Sequence, residues 1–279
     1  HFRQSFNKYS NPHALDNLSS SIEYAYVNWK PSDKFNLTVG KQFVAMGGYE
    51  YYLHSNKVRE FSEFNDYVAA YQAGVSAAFN FSPTQELVLQ VTNFRSGEDE
   101  DMYVYGRPEG IAKAQVPVIS TLNWNGWFAD KSIQLRYAAS WGQQAKGKNV
   151  LYLTAGNIYE KGPVTAYLDV MYSRQGLDNH CIISDMQGAV VENPVTAQNT
   201  EYLAVIADFD YRFHPNWNAY IKGAYETAGV YKTNGHFEKG LYRTTWNLQG
   251  CVEFFPMANS ELMIFGHVLH KGHKLTDRA

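Results

Sequence analysis

The segment Leu203-Ala-Val-Ile-Ala-Asp-Phe-Asp-Tyr-Arg-Phe213 decides the fold. Leu203, Val205, Ala207, Phe209, Tyr211 and Phe213 take every second position, and Asp208, Asp210 and Arg212 fall between them. A strand points successive side chains to opposite faces, so this period gives one greasy face and one wet face. The same alternation holds at Tyr71, Ala73, Val75, Ala77, Phe79 and Phe81, and at Ile133, Leu135, Tyr137, Ala139 and Trp141. No segment of useful length shows a 3.6-residue period. The chain reads as all-β.

Extended outward, the pattern predicts about thirteen strands, centred near residues 2–10, 20–30, 35–45, 71–81, 86–96, 117–128, 133–143, 150–160, 163–174, 200–213, 217–228, 243–255 and 261–271. Tight turns are expected at Pro31–Lys34, Ser82–Gln85, Ala129–Ser132, Lys161–Gly162, His214–Asn216 and Met257–Ser260, where Pro, Gly, Asn and Asp supply turn backbone. Mostly longer connections, near 46–70, 97–116, 175–199 and 229–242, fall between them. Short and long links in alternation put every second hairpin end on one side. That is an up-and-down antiparallel meander.

Composition narrows the class. The 279 residues carry 24 Lys+Arg against 27 Asp+Glu, a balance that argues against a nucleic-acid binder. Two cysteines, Cys181 and Cys251, cannot build a disulfide framework or a four-cysteine zinc site, and they read as unpaired. No apolar run approaches the length of a transmembrane helix. The chain opens at His1 without Met or an apolar leader and closes on polar Leu275–Ala279, so either end reads as a possible cut. Aromatic residues make up 15% of the chain. Those rings need a place to sit.

Their distribution supplies one. On the apolar face, Trp29, Phe79, Phe213 and Trp217 lie beside the short turns, and Tyr71, Trp141, Tyr225 and Trp246 lie at the far strand ends. Val39, Val75, Leu135, Leu168, Val205, Ile221 and Leu248 fill the middle. Trp217 to Tyr225 spans roughly 20 Å of height for a strand tilted near 40°. Two ring belts around an aliphatic band of that height predict a transmembrane β-barrel, and closure removes edges that lipid cannot satisfy. Even strand number with both termini on the short-turn side is the bacterial rule. Residues 1–279 are therefore expected to form a single barrel domain, incomplete at one or both ends, from a parent of about 14–18 strands with 16 the best fit.

The run Ile22-Glu-Tyr-Ala-Tyr-Val-Asn-Trp-Lys-Pro31, the turn Ser-Asp, and Phe35-Asn-Leu-Thr-Val-Gly-Lys-Gln-Phe43 together resemble the phosphate-selective porin O and P family. The resemblance is specific over about residues 22–45 and is shared strand grammar elsewhere. It implies a 16-stranded, usually trimeric barrel in a Gram-negative outer membrane, narrowed by an inward-folded loop. It also implies anion selectivity from a ladder of pore-facing arginines and a lysine cluster. Here the polar face offers Lys30, Arg136, Arg212 and Lys222, opposed by Glu86, Asp169, Asp208, Asp210, Glu226 and Glu253. Four bases against six acids predict a pore that leans toward cations instead.

Other constellations in the chain each have a plainer reading beside the chemical one. Asp208 and Asp210 share a strand face about 6–7 Å apart, a spacing near that of an inverting glycosidase pair, but lumen lining with Arg212 as neutralising partner explains them as well. His267 and His273 share a face while His270 points away, so three metal ligands do not converge. Glu98–Asp101 forms an acidic loop tip without calcium-loop spacing, and on the long-loop side it can bridge cations to lipopolysaccharide. The loop near 45–70 reads as folding inward to set the constriction, with an outward loop that contacts neighbours as the alternative: Met46-Gly-Gly48 gives a hinge, followed by Tyr49, Tyr51, Tyr52, Lys57, Arg59, Glu60, Glu63 and Asp66. Lys41 sits in phase with the lipid face, where a bulge, a subunit interface and a headgroup contact all stay open.

The functional expectation is a porin: passive diffusion of small hydrophilic solutes and ions, with no cofactor, no metal and no covalent chemistry. Its partners are outer-membrane lipid, lipopolysaccharide and two further copies in a homotrimer. An anion- or phosphate-selective porin is the first alternative. A soluble all-β carbohydrate-active enzyme using Asp208 and Asp210 is the alternative of another class. A barrel plugged by its loops and serving as a scaffold is the third.

Overall fold

Each alternating segment becomes a strand in the structure, a computed structural model that describes residues 2–4, 22–53, 55–94, 102–188, 192–235, 237–257 and 262–278. In chain order the strands are β1 (Phe2–Gln4), β2 (Ile22–Ser32), β3 (Phe35–Phe43), β4 (Tyr71–Ser82), β5 (Gln85–Asn93), β6 (Val118–Phe128) and β7 (Ile133–Ala145). They continue with β8 (Lys148–Lys161), β9 (Val164–Leu177), β10 (Gln198–His214), β11 (Trp217–Val230), β12 (Gly240–Phe254) and β13 (Ile264–Leu275). All thirteen join one sheet in sequential order, each antiparallel to the next. This is the all-β, up-and-down topology that the period and the turn spacing predict. The predicted first strand, 2–10, is described only over Phe2–Gln4, and the rest of it lies outside the described residues.

Turn chemistry fixes the register. Gly162 takes φ 60° between β8 and β9, and Ala129, Asp130 and Lys131 take φ 49°, 55° and 69° between β6 and β7. One link departs from the alternation of lengths: β7 and β8 are joined on the long-loop side by Lys146-Gly147 alone, with Gly147 at φ 74°. Pairing along β10 and β11 then sets Phe209 against Ile221 and Val205 against Tyr225, which aligns the apolar residues of neighbouring strands on one face. That face is bare: Ile221 is 52% exposed at mid-strand, and Val39, Leu168 and Leu248 are exposed beside the belts. Outward aliphatic side chains at this density suit hydrocarbon rather than water.

Two expectations about faces need correction. Lys41 is 2% exposed and so does not meet headgroups. Gly40 beside it takes φ 127°, where a Cβ would come within 2.3 Å of the Ala25 carbonyl oxygen, and both Lys41 and Gln42 are buried after it. The register with β4 runs unshifted through this glycine, Lys41 opposite Ala73 between Val39–Val75 and Phe43–Tyr71, so the lysine keeps its phase and its burial comes from what covers it. The inner face is also less wet than the sequence suggests. Val150, Tyr152, Met171, Tyr202, Ala204, Ile206 and Val230 point inward from β8–β11 and are buried. They pack with Met46, Phe64, Phe94, Tyr103, Ile183 and Phe237, all from the long connections. Apolar loop residues that enter a lumen need an apolar wall to cover them.

The connections carry three short helices that a period-two reading does not show: α1 (Ser55–Val58), α2 (Glu63–Asp66) and α3 (Ile182–Gly188). The first two belong to the link between β3 and β4.

Candidate functional site

The link over residues 44–70 occupies the lumen, and its path starts from two glycines. Gly47 and Gly48 take φ 78° and 76°, a left-handed turn that costs glycine little. The turn brings the chain against β8, where Gly156 leaves room: a Cβ on Gly156 would stand 2.7 Å from the Gly48 Cα. Past this contact the amides of Tyr49 and Glu50 both donate to Asp169 Oδ2 of β9, each at 2.7 Å. The buried carboxylate of Asp169 thus meets two orphan donors of the loop.

Glu50 is the centre of the loop's polar network. Its side chain is 0% exposed and forms an ion pair with Lys222 of β11, itself 1% exposed. It also accepts from the Ser62 amide at 3.1 Å, from Ser62 Oγ at 2.5 Å, and from Asn65 Nδ2. Desolvating two charges costs several kcal/mol per ion, and only good geometry with extra hydrogen bonds recovers it. Glu50 has both. Farther along, Glu226 of β11 accepts the amides of Glu63 at 3.0 Å and Phe64 at 2.8 Å, satisfying donors at the start of α2.

Charge pairs complete the anchoring. Arg59 pairs with Glu253 of β12 and lies 3.7 Å over the Phe265 ring of β13. Glu60 pairs with Lys271 of β13, and Glu63 pairs with Arg243 of β12. The Glu60 carbonyl accepts from Lys222 Nζ at 2.7 Å and Gln249 Nε2 at 3.0 Å. On the other side, the Ala45 amide donates to Gln90 Oε1 of β5 at 2.8 Å, and Arg136 of β7 lies 3.9 Å over the Tyr52 ring. Tyr51 donates to the Ala69 carbonyl at 2.8 Å and so closes the base of the loop. Contacts from one loop to β5, β7, β9, β11, β12 and β13 require a sheet curled around it. A second link enters from the same side: His180 packs on Phe64, Tyr67 and Tyr202 at ring separations of 4.9, 5.8 and 4.6 Å.

The pore-facing residues read from the sequence therefore divide. Asp169, Lys222, Glu226 and Glu253 are buried in contacts with the loop rather than bathed in open water. Glu86 holds Asn125 at 2.8 Å, and Asp210 holds Asn218 at 3.0 Å, with Asn218 also donating to Glu253 at 2.8 Å. Asp208 shares the inward face with Asp210. Lys30 and Arg212 sit exposed at the short-turn rim, Lys30 on Asp33 at 3.2 Å and Arg212 on the Pro215 carbonyl at 2.6 Å. Lys57 is exposed on α1. Among the belt residues, Trp29, Phe79, Phe213, Trp217, Trp141, Tyr225 and Trp246 are exposed, whereas Tyr71 is half-buried against Tyr24 and Phe43. His267, His270 and His273 lie along β13, and no group of three metal-ligating side chains occurs among the described residues. Cys181 and Cys251 are both buried. The acidic tip Glu98–Asp101 lies outside the described residues.

Sequence reasoning missed Glu50, Arg243, Lys271 and His180. Strand phase was enough to find two of them: Arg243 is in step with Glu253, and Lys271 with His267 and His273. Counting them changes the charge reading. The lumen bases Lys222, Arg243, Lys271 and Arg59 are each matched by an acid, and Asp66, Glu86, Asp208 and Asp210 make no ion pair among the described residues. Beside the loop there remains a cavity of about 340 Å³ between α2 and β11–β13.

Comparison with solved structures gives the same architecture. The chain superposes on the outer-membrane channel DcaP of Acinetobacter baumannii with TM-score 0.62 at 10% identity, covering 92% of this chain and 70% of that one. The loop L8 deletion mutant of OmpT, an outer-membrane protein of Vibrio cholerae, gives 0.56 at 10% identity over 92% and 76%. Outer-membrane expressed OmpT of Vibrio cholerae gives 0.52 at 13% identity over 91% and 71%. None of the curated proteins matches the chain. The family model described as phosphate-selective porin O and P matches residues 1–274. A curled meander with a bare aliphatic outer face, an occupied lumen and this match agree on one conclusion: the chain belongs to the phosphate-selective porin O and P family, as an integral outer-membrane porin.

Proposed function

We propose that this porin passes small hydrophilic solutes and ions by passive diffusion, without a cofactor or covalent chemistry, and that residues 44–70 set its constriction. One observation carries the reading: the loop is tied to opposite walls of the barrel, from Gln90 on β5 to Lys271 on β13, with Glu50–Lys222 buried between. A segment held at both sides narrows the path at a fixed place. The acids without ion pairs, Asp66, Glu86, Asp208 and Asp210, support a preference for cations. Asp208 and Asp210 are then lumen lining, with Asn218 donating to Asp210. Family membership supports a homotrimer set in lipid and lipopolysaccharide, with residues 1–279 forming part of one barrel domain.

Arg136 favours a second reading, an anion- or phosphate-selective pore. Its guanidinium meets Tyr52 and no carboxylate at ion-pair distance among the described residues, and its Nε has no hydrogen-bond partner. Reversal potential in a planar bilayer under a potassium chloride gradient separates the two. Stepwise currents with a cation-selective sign support the first reading, an anion-selective sign the second. Silence from a folded, heat-modifiable barrel would refute both and favour a plugged scaffold.

A further inference from the structure

The cavity beside the loop has walls of opposite sign. On one wall, β12 and β13 present Arg243, Lys271 and His273, with Asn247 in register with Lys271 and Thr245 with His273. On the other, α2 presents Glu63 and Asp66, and Glu226 reaches toward α2 from β11. Glu63 and Glu60 each engage one base, Arg243 and Lys271. A guanidinium has five donors and an ammonium three, so both bases keep donors for a solute. Asp66 is exposed to the cavity and makes no ion pair among the described residues. Tyr67, whose ring stacks on His180, also lines the cavity.

A cavity with a basic wall facing an acidic wall imposes a field across its opening. Water there is oriented, and a neutral solute that displaces it recovers little. A simple ion is drawn to one wall and repelled by the other. A solute with a carboxylate at one end and an ammonium at the other satisfies both walls together.

We propose that this opening is a selection site for small zwitterions, namely amino acids and short peptides with free ends. Arg243 and Lys271 take the carboxylate and Asp66 takes the ammonium. The inference rests on the porin reading and names the solute class of its narrow path.

Alanine and lactamide are isomers, one zwitterionic and one neutral, so their entry into proteoliposomes carrying the full-length protein isolates charge from size. Alanine is expected to enter at least threefold faster than lactamide. Asp66→Asn and, separately, Lys271→Met should each bring that ratio close to one, and Asp66→Glu should restore it. A native ratio of one or less, or a ratio that survives both substitutions, would overturn the inference while leaving the porin intact. Exclusion of both solutes by the native protein would overturn the porin reading and the inference with it.

Discussion

Replacing Lys222 by Met removes the cation from the most deeply buried charge pair in the lumen. Glu50 would stay 0% exposed without its partner, and breaking a buried pair from one side typically costs about 3–5 kcal/mol. Two features place this case at the low end. Glu50 keeps three other donors, from Ser62 N, Ser62 Oγ and Asn65 Nδ2. The Glu60 carbonyl loses Lys222 Nζ but keeps Gln249 Nε2 at 3.0 Å. A loss of about 3 kcal/mol raises the share of undocked loop roughly a hundredfold. Single-channel recording reads this directly, as frequent long visits to a higher-conductance state that is rare in the native protein. Adding Glu50→Gln removes the stranded charge and should recover more than about 1 kcal/mol, seen as shorter visits. If Lys222→Met gives currents indistinguishable from native, the loop is not held by this pair and the anchoring argument fails.

Other perturbations address separate links. Gly156→Ala places a Cβ 2.7 Å from the Gly48 Cα, so the loop must shift; we expect about 1–3 kcal/mol of destabilisation and noisy open-channel current. Ile221→Arg puts a cation on the bare mid-strand face, one residue from Lys222. Urea unfolding in lipid vesicles should show a loss of about 2–4 kcal/mol, whereas no loss would mean that this face does not meet hydrocarbon. In α2, removal from bulk water and the neighbouring carboxylates Glu60 and Glu50 raise the Asp66 carboxyl to about 6 from an ordinary 3.8. The folded protein therefore holds that proton more tightly than the unfolded chain: its stabilising effect is complete below 3.8 and is lost as pH rises through 6. Acidifying the bilayer chambers through this window should weaken cation selectivity, and Asp66→Asn should shrink the change.

The outer face was the most legible part of the molecule because one solvent, lipid, acts on it along every strand. Leu203, Val205, Ala207 and Phe209 answer to the same requirement, and period two follows. Inside, the requirement changes along each strand. Tyr202, Ala204 and Ile206 are buried in the packing with the loops, while Asp208 and Asp210, on the same face of β10, are only half-buried. Periodicity gives the face but not what covers it. The Gly47-Gly48 hinge was visible in the sequence, since paired glycines free the backbone, yet the destination of the loop depends on Gly156, Asp169 and Lys222 on three other strands. Glu50 carries no local signal that separates it from Glu60 or Glu63; only its partner far along the chain marks it. Lys41 makes the same point, because it keeps its phase beside Val39 and Phe43 while periodicity says nothing of what buries it.

The central claim, that a loop pinned inside an outer-membrane barrel sets its pore, is tested most directly by single-channel conductance after residues 49–67 are replaced with a short Gly-Ser link. A barrel that still inserts and is heat-modifiable should conduct several-fold more current per opening than the native protein. An unchanged conductance would contradict the claim and place the constriction elsewhere in the lumen.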